Sequence, residues 1–296
     1  MGIVARWNGM DHAPPWLAFY DSVAPHIDYP AVTLYEALAA SAGRVPDNIA
    51  WEFFGKRASY RELLQSVDRC AAMLAALGLQ ADDTILVIMP TTPQAVIAFY
   101  AANRLGARPA FIHPLSTAVE IAHYVDATGA AVVLTLDAFY PVVAAAVPRR
   151  PLQTILLARM GDYLPALTGL GFWLSKGRHI GRIPDDPRVR RWHDQMQRAT
   201  PATRQPERAP HDVAAVLFSG GTTSLPKGIE LTNANFVAQG MQAVSWVRMG
   251  GGDSMLAILP VFHGFGLGVC VNAVLMAGGT SILVPQFSAA IVAGLI

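Results

Sequence analysis

The residues best equipped for chemistry lie in one run from Val213 to Thr232, Val-Ala-Ala-Val-Leu-Phe-Ser-Gly-Gly-Thr-Thr-Ser-Leu-Pro-Lys-Gly-Ile-Glu-Leu-Thr. Val213 to Phe218 is apolar and β-prone. It enters a turn of glycine and hydroxyl residues that ends in Pro226, Lys227 and Gly228, and a second β-prone run leaves it. Glycines let backbone amides approach an anion closely, hydroxyls donate further hydrogen bonds, and lysine adds a full positive charge. Those are the requirements of a phosphate cradle, with Ser219, Gly220, Gly221, Thr222, Thr223, Ser224 and Lys227 as its candidate members. The common P-loop is excluded, because Lys227 is followed by Gly228 rather than Ser or Thr and the glycine spacing differs. A surface hairpin of ordinary turn-forming residues is the competing reading of the same composition.

A cradle needs rigid elements on either side, and the pattern upstream supplies them. Residues 1 to about 30 read as an irregular lead-in. Thr33 is placed to cap a helix through Leu34, Leu38 and Ala42. Ile49 to Phe54 reads as a strand, Gly55-Lys56 as a turn, and Ala58 to Tyr60 as its return. Ser59 and Glu62 form a capping box for a helix from Tyr60 to Leu77, which Gly78 ends. Thr84 to Met89 is a continuous apolar run, as a parallel strand buried on both faces requires. Then come a helix from Pro93 to Leu105, a strand from Arg108 to Ile112, a helix from Ala118 to Thr128, and strands at Ala131–Leu136 and Gln153–Leu157. Strand and helix alternate through short connections, which predicts an α/β fold with doubly wound, mostly parallel sheets and helices between them. Beyond the cradle, a helix from Ala234 to about Trp246, a strand at Met255–Leu259, a helix at Val269–Ala277, a strand at Ser281–Val284 and a helical start at Phe287 are expected. The expected division is a lead-in (1–30), a first α/β subdomain (31–210) with a basic insertion at about 160–209, and the start of a second subdomain (211–296).

The Val213–Thr232 run resembles the signature loop of the adenylate-forming enzymes, whose usual pattern is Thr-Ser-Gly-Ser/Thr-Thr-Gly-x-Pro-Lys-Gly. Gly221, Thr222, Thr223, Pro226, Lys227 and Gly228 match. Ser219 stands for the first Thr, Gly220 for a Ser, and Ser224 for a glycine. If that position needs a positive φ, serine costs about 1 kcal/mol there. The Gly220-Gly221 pair is similar to the loop of long-chain fatty-acyl-CoA synthetases. The flanks are collinear with the same family: Ser59 to Leu63 resembles its Thr-Tyr-x-Glu-Leu opening, Thr84 to Ala107 its strand, proline turn and helix, and His113-Pro114-Leu115 occupies the place of a Pro-Leu-Asn turn. Leu259-Pro260-Val261-Phe262-His263-Gly264-Phe265-Gly266 resembles its Leu-Pro-x-Phe-His-x-x-Gly segment. At Asn233 the family usually has His.

The resemblance implies the fold of the N-terminal part of that family's large domain, and a two-step reaction. A carboxylate, here a fatty acid or another acid, attacks the α-phosphate of ATP. A thiol, usually of coenzyme A, then takes the acyl group. It implies phosphate contacts from Ser219 to Ser224 and Lys227, a Mg²⁺ contact from Thr222 or Thr223, and an acyl end lined by Phe262, His263 and Gly264. The family's catalytic lysine, its Tyr-Gly-x-Thr-Glu segment and its Thr-Gly-Asp segment have no counterpart in these residues, so the chain reads as an N-terminal fragment with no catalytic residue of its own. Two alternatives remain open at this point: a fatty-acyl-AMP ligase that loads a carrier protein, and a non-catalytic fragment that binds lipid or nucleotide.

Composition is consistent with a large α/β protein. The chain has 296 residues, 53% hydrophobic and 15% charged, with a net charge of +1. That balance gives no global attraction to nucleic acid, and no binding motif accompanies the arginines. Cys70 and Cys270 lie in apolar runs and are expected as core thiols of a reducing compartment. The greasy stretch from Leu256 to Pro285 is broken by His263, Asn272 and glycines, which argues against a membrane span. With no evident signal peptide, a cytoplasmic protein is expected. The segment from Met160 to Ala209 mixes Tyr163, Leu164, Leu167, Leu170, Phe172, Trp173 and Leu174 with many arginines. It reads either as an ordinary surface insertion or, over 160–200, as a peripheral membrane contact. Oligomeric state is not legible in the sequence.

Overall fold

The computed structural model describes residues 14–147, 154–175, 177–201, 208–219 and 226–295. Its first regular element is a short 3-10 turn, Pro15–Phe19. Helix α1, Leu34–Arg44, starts where Thr33 accepts the Glu36 amide and Glu36 reaches back to the Thr33 amide. The same reciprocal cap, which satisfies donors that a helix start leaves unpaired, opens α2 (Tyr60–Ala76) from Ser59 and Glu62, α4 (Ala118–Thr128) from Thr117 and Glu120, and α8 (Asn233–Val247) from Thr232 and Asn235. Gly106, at φ +78°, ends α3 (Pro93–Leu105) in the left-handed conformation that L side chains resist.

Two sheets form. The larger has seven strands in the order β7-β6-β5-β3-β4-β8-β9. These are β3 Thr84–Ile88, β4 Arg108–Phe111, β5 Val132–Leu136, β6 Thr154–Ala158, β7 Val189–Arg191, β8 Val213–Ser219 and β9 Lys227–Thr232. All its pairings are parallel except β8 with β9. Alternate residues of β3 divide between two cores. Ile85 and Val87 join the layer of α2 and α3, while Leu86 and Ile88 join Ile121, Tyr124 and Val125 of α4 on the other face. Every residue of β3, β5 and β6 is buried, as the uninterrupted apolar runs require. This is the doubly wound arrangement expected from the alternation of elements. Helix α3 is buried from Pro93 to Asn103, which explains why it is apolar all round.

The smaller sheet has the order β10-β11-β1-β2, with β1 Ile49–Phe53, β2 Lys56–Ser59, β10 Ser254–Ala257 and β11 Thr280–Leu283. Strand pairing therefore crosses the boundary expected near residue 210 in both sheets. β8 and β9 extend the sheet of β3 to β7, and β10 and β11 continue the sheet begun by β1 and β2. The β1–β2 turn is centred on Phe54 (φ +50°) and Gly55 (φ +83°), one residue before the expected Gly55-Lys56. Two consecutive positive φ values match the twist of a two-residue hairpin.

Two further segments differ from expectation. The helix expected at Val269–Ala277 begins at Gly264 and is π-wound from Gly266 to Ala273, before α9, Val274–Ala277. It lies close to α8: a Cβ on Gly240 would sit 2.7 Å from Met276 Sδ, and one on Gly268 the same distance from Gln239 Oε1. The expected insertion is also partly integral to the fold. Its β7 is the edge strand beside β6, and Trp192, opening α7 (Trp192–Arg198), is 1% exposed.

Candidate functional site

The run expected to form the cradle joins the antiparallel strands β8 and β9. Ser219 and Lys227 are cross-strand partners, so the hydroxyl and the ammonium group flank the base of the loop. Gly220, Gly221, Thr222, Thr223 and Ser224 lie outside the described residues. Lys227 is exposed. Gly228 faces Phe218 in the register, and a Cβ there would lie 3.2 Å from Val216 Cγ1 and 3.3 Å from the Phe218 ring. Phe218 is held in turn by Tyr124, ring centroids 4.4 Å apart. The glycine of the Pro-Lys-Gly exit thus lets an aromatic ring lie across strand β9.

β8 pairs with β4, and the residues leaving the parallel strands converge beyond their carboxyl ends. There a cavity of about 780 Å³ opens between the two sheets. Pro90 and Thr91 follow β3, His113 to Leu115 follow β4, and Leu136 to Phe139 end and follow β5. From the smaller sheet come Phe54 after β1, Leu259, Pro260 and Phe262 after β10, and Val284 to Phe287 after β11. Leu164, Thr168 and Phe172 close it from the side of helix α6, Ala166–Ser175. Open α/β sheets place ligands in such a crevice, and the volume falls in the ~300–1,000 Å³ typical of small-molecule sites. The Val261 amide donates to Thr91 Oγ1 at 3.3 Å, which ties the loop after β10 to the loop after β3.

Of the three residues expected at an acyl end, Phe262 alone lines the cavity. His263 and Gly264 are exposed and outside it. The reason is a tight turn: the His263 amide donates to Pro260 O at 3.0 Å, and His263 Nδ1 accepts the Phe265 amide at 3.3 Å. Gly264 sits against β8, where a Cβ would meet Leu217 Cδ1 at 3.7 Å. The histidine on the cavity wall is instead His113. Its ring packs against Phe262 at 4.5 Å, and its Nδ1 accepts the Leu115 amide at 3.0 Å. Sequence reasoning read His113 only as a turn residue and did not single out Asp137, Phe54 or Phe287. Their common signal is position: each sits at or just beyond the carboxyl end of a parallel strand.

Asp137 is the acid of the cavity wall. Burial pushes its carboxyl up, against the pull of the Ala138 amide at 2.9 Å and of Arg159 at 3.8 Å. Among the described residues no group of three or more His, Cys, Asp or Glu is arranged to hold a metal. Cys70 and Cys270 are buried free thiols, and burial pushes both up. No helix among the described residues is long and apolar enough to cross a membrane.

A model of the AMP-binding enzyme family matches residues 38–296, the region that builds both sheets and the hairpin. The chain belongs to the AMP-binding enzyme family. It is 31% identical to a long-chain-fatty-acid–CoA ligase of Bacillus subtilis over 94% of this chain and 51% of that protein. It is 30% identical to 4-coumarate–CoA ligase 2 of Oryza sativa, over 94% of this chain and 48% of that one. A salicyl-AMP ligase / salicyl-S-ArCP synthetase of Mycobacterium tuberculosis is 30% identical over 86% of this chain and 43% of its own. The structure of a long-chain-fatty-acid-CoA ligase from Archaeoglobus fulgidus shares the fold, with a TM-score of 0.77 at 19% identity over 92% of this chain and 51% of that one. This AMP-binding chain spans about half the length of these relatives.

Proposed function

We propose that this AMP-binding chain serves ATP-dependent activation of a carboxylic acid, a medium- or long-chain fatty acid, as an acyl-adenylate that passes to the thiol of coenzyme A. The observation that carries the reading is the apolar cavity beyond the carboxyl end of β4, the strand that pairs with β8 of the Ser219–Lys227 hairpin. From Ser219, at the end of β8, to Asp137, beyond the end of β5, the sheet crosses β4 and β3. Three strand spacings, ~14 Å, leave room for an extended acyl chain. Lys227 and the loop would hold the β- and γ-phosphates, supplying charge to a reaction that depends on positioning and electrostatics. Mg²⁺ fits this donor set only as an ion carried by the nucleotide's phosphates, with a hydroxyl of Thr222 or Thr223 as ligand. It would neutralise phosphate charge. Phe262 and His113 would border the acyl end. A carrier-protein thiol is the alternative acceptor, supported by the salicyl-AMP ligase relative. A non-catalytic lipid- or nucleotide-binding role is the other alternative.

Calorimetric titration with Mg-ATP tests the phosphate site. Lys227→Ala should weaken binding by roughly 10- to 150-fold, the loss of one charge-assisted contact of ~1.5–3 kcal/mol. Absence of nucleotide and pyrophosphate binding by the unmutated chain would sink the reading.

A peripheral membrane contact is the second part of the proposal. Helix α6 carries no charge, and it exposes Leu167 at 85% and Trp173 at 58%, with Arg178 and Arg182 following it. Apolar side chains beside a basic rim suit an anionic bilayer surface. The chain should float with anionic vesicles and Trp173→Ala should not; recovery of the unmutated chain in the soluble fraction removes this contact.

A further inference from the structure

This inference rests on the acyl-site reading above. Behind the first cavity lies a second, of about 1030 Å³. Both are lined by Asp137, Met160, Leu164, Phe172 and Ile180. Leu164 is 8% exposed and anchored in the main core. Phe172 is different: it packs against that core from α6, a single short helix whose outward residues Leu167, Leu170, Trp173 and Leu174 are all exposed. A ring held from one side only is displaced at lower cost than one packed between a sheet and a helix. The second cavity continues past Gly169, Trp173 and Ile183 to a charged boundary of Arg182, Asp185 and Arg191. Gly169 leaves space there, since a Cβ would meet only Leu164 Cβ, at 3.8 Å.

We propose that Phe172, with Leu164 and Ile180, forms a partition that sets the longest acyl chain the first cavity accepts, and that the second cavity receives the distal end of a longer straight-chain acid once the partition is opened. Methylenes that stay on the near side are buried among apolar walls. A chain that outgrows the first cavity meets the partition and gains nothing from further length. Phe172 is thus a specificity-determining residue; it touches the distal end of the substrate, far from the reacting carboxylate.

The test is a set of affinities for saturated straight-chain acids of increasing length, measured by displacement of an anilinonaphthalene sulfonate probe from the chain. In the unmutated protein affinity should rise about fourfold per buried methylene and then level off. Phe172→Ala should move the levelling point to longer acids, with less than the roughly fourfold of a fully buried methylene gained for each one that passes the partition, because Arg182, Asp185 and Arg191 share the wall of the second cavity. Phe172→Leu, which keeps an apolar side chain in the core contact, should shift it in the same direction by less, and carries the test if the alanine variant does not fold. Adding Gly169→Leu to Phe172→Ala should return the limit to its original length by filling the second cavity. Gly171→Ala, on the same helix, lining neither cavity and with open space for its Cβ, should leave the series unchanged. An unmoved levelling point in both Phe172 variants overturns the proposal, as does an equal shift in Gly171→Ala, which would mean that any change in α6 suffices. If the unmutated chain binds no acid of any length, the acyl-site reading itself fails and the partition falls with it.

Discussion

A Cβ placed on Gly266 would lie 2.1 Å from the carbonyl oxygen of Pro260 and 2.5 Å from that of Leu259. Both obstacles are backbone, so neither can swing aside. Gly266→Ala should therefore cost at least the ~1–3 kcal/mol of an overpacked core and displace Phe262 from the cavity wall. Gly264→Ala meets only Leu217 Cδ1 at 3.7 Å and should stay within about 0.5 kcal/mol of the parent. Thermal unfolding of the two variants separates them, and equal melting temperatures would refute the argument. Asp186 offers a second test at this scale. Its hydrogen bonds from Arg188 hold the carboxyl down at about 2 against an ordinary 3.8, aided by Tyr140 at 3.2 Å. A depressed carboxylate contributes stability that is complete above the ordinary value and is lost as pH falls through about 2. Asp186→Asn should lower stability at neutral pH and flatten the acid-induced loss. Urea midpoints followed down the pH scale should converge for the two proteins in acid.

At the scale of elements, the start of α1 depends on residues far away in sequence. The Leu34 amide donates to Asn233 Oδ1 at 3.0 Å, and the Tyr35 amide to Asn103 Oδ1 at 2.9 Å. Asn103 Nδ2 donates to Asn233 Oδ1 at 2.7 Å, and Asn233 Nδ2 to the carbonyls of Ala209 and Asp212, both at 3.2 Å. One buried amide side chain thus joins α1, α3, α8 and the turn before β8, the strand that leads into the expected cradle. Asn233→Ala strands buried donors at about 1–3 kcal/mol each, and should destabilise more than Thr33→Ala, whose lost cap costs about 1 kcal/mol. Chemical denaturation of both variants checks the ranking. The caps of α1 and α2 and the Gly106 stop of α3 were legible because they depend on residues a few positions apart. The π-winding of Gly266–Ala273 was not, because what surrounds it (Gln239 and Gly240 of α8) comes from another part of the chain.

For the whole molecule, the interleaving of sheets is decisive. β1 takes β11 as a parallel partner, Trp51 opposite Ser281, and β4 takes β8, Ala110 opposite Val216. A fragment cut at residue 210 would keep β1 and β2 as an isolated hairpin, marginal in water, and would bare the edge of β4. It should aggregate or remain largely unfolded. A cooperative unfolding transition and a monomeric elution volume for that fragment would show the opposite.

The order of strands and helices, the caps and the motifs that carry the family resemblance are local in sequence, which is why sequence alone determined the doubly wound class and the family. The cavity is different in kind. Its wall is assembled from the carboxyl ends of strands in two sheets, brought together only by pairings that join the start of the chain to its end. Only the tertiary structure could therefore decide that His113, rather than His263, faces the cavity, and that Phe172 stands between two chambers. A side chain's periodicity tells which face of its own element it occupies, but not which element lies opposite.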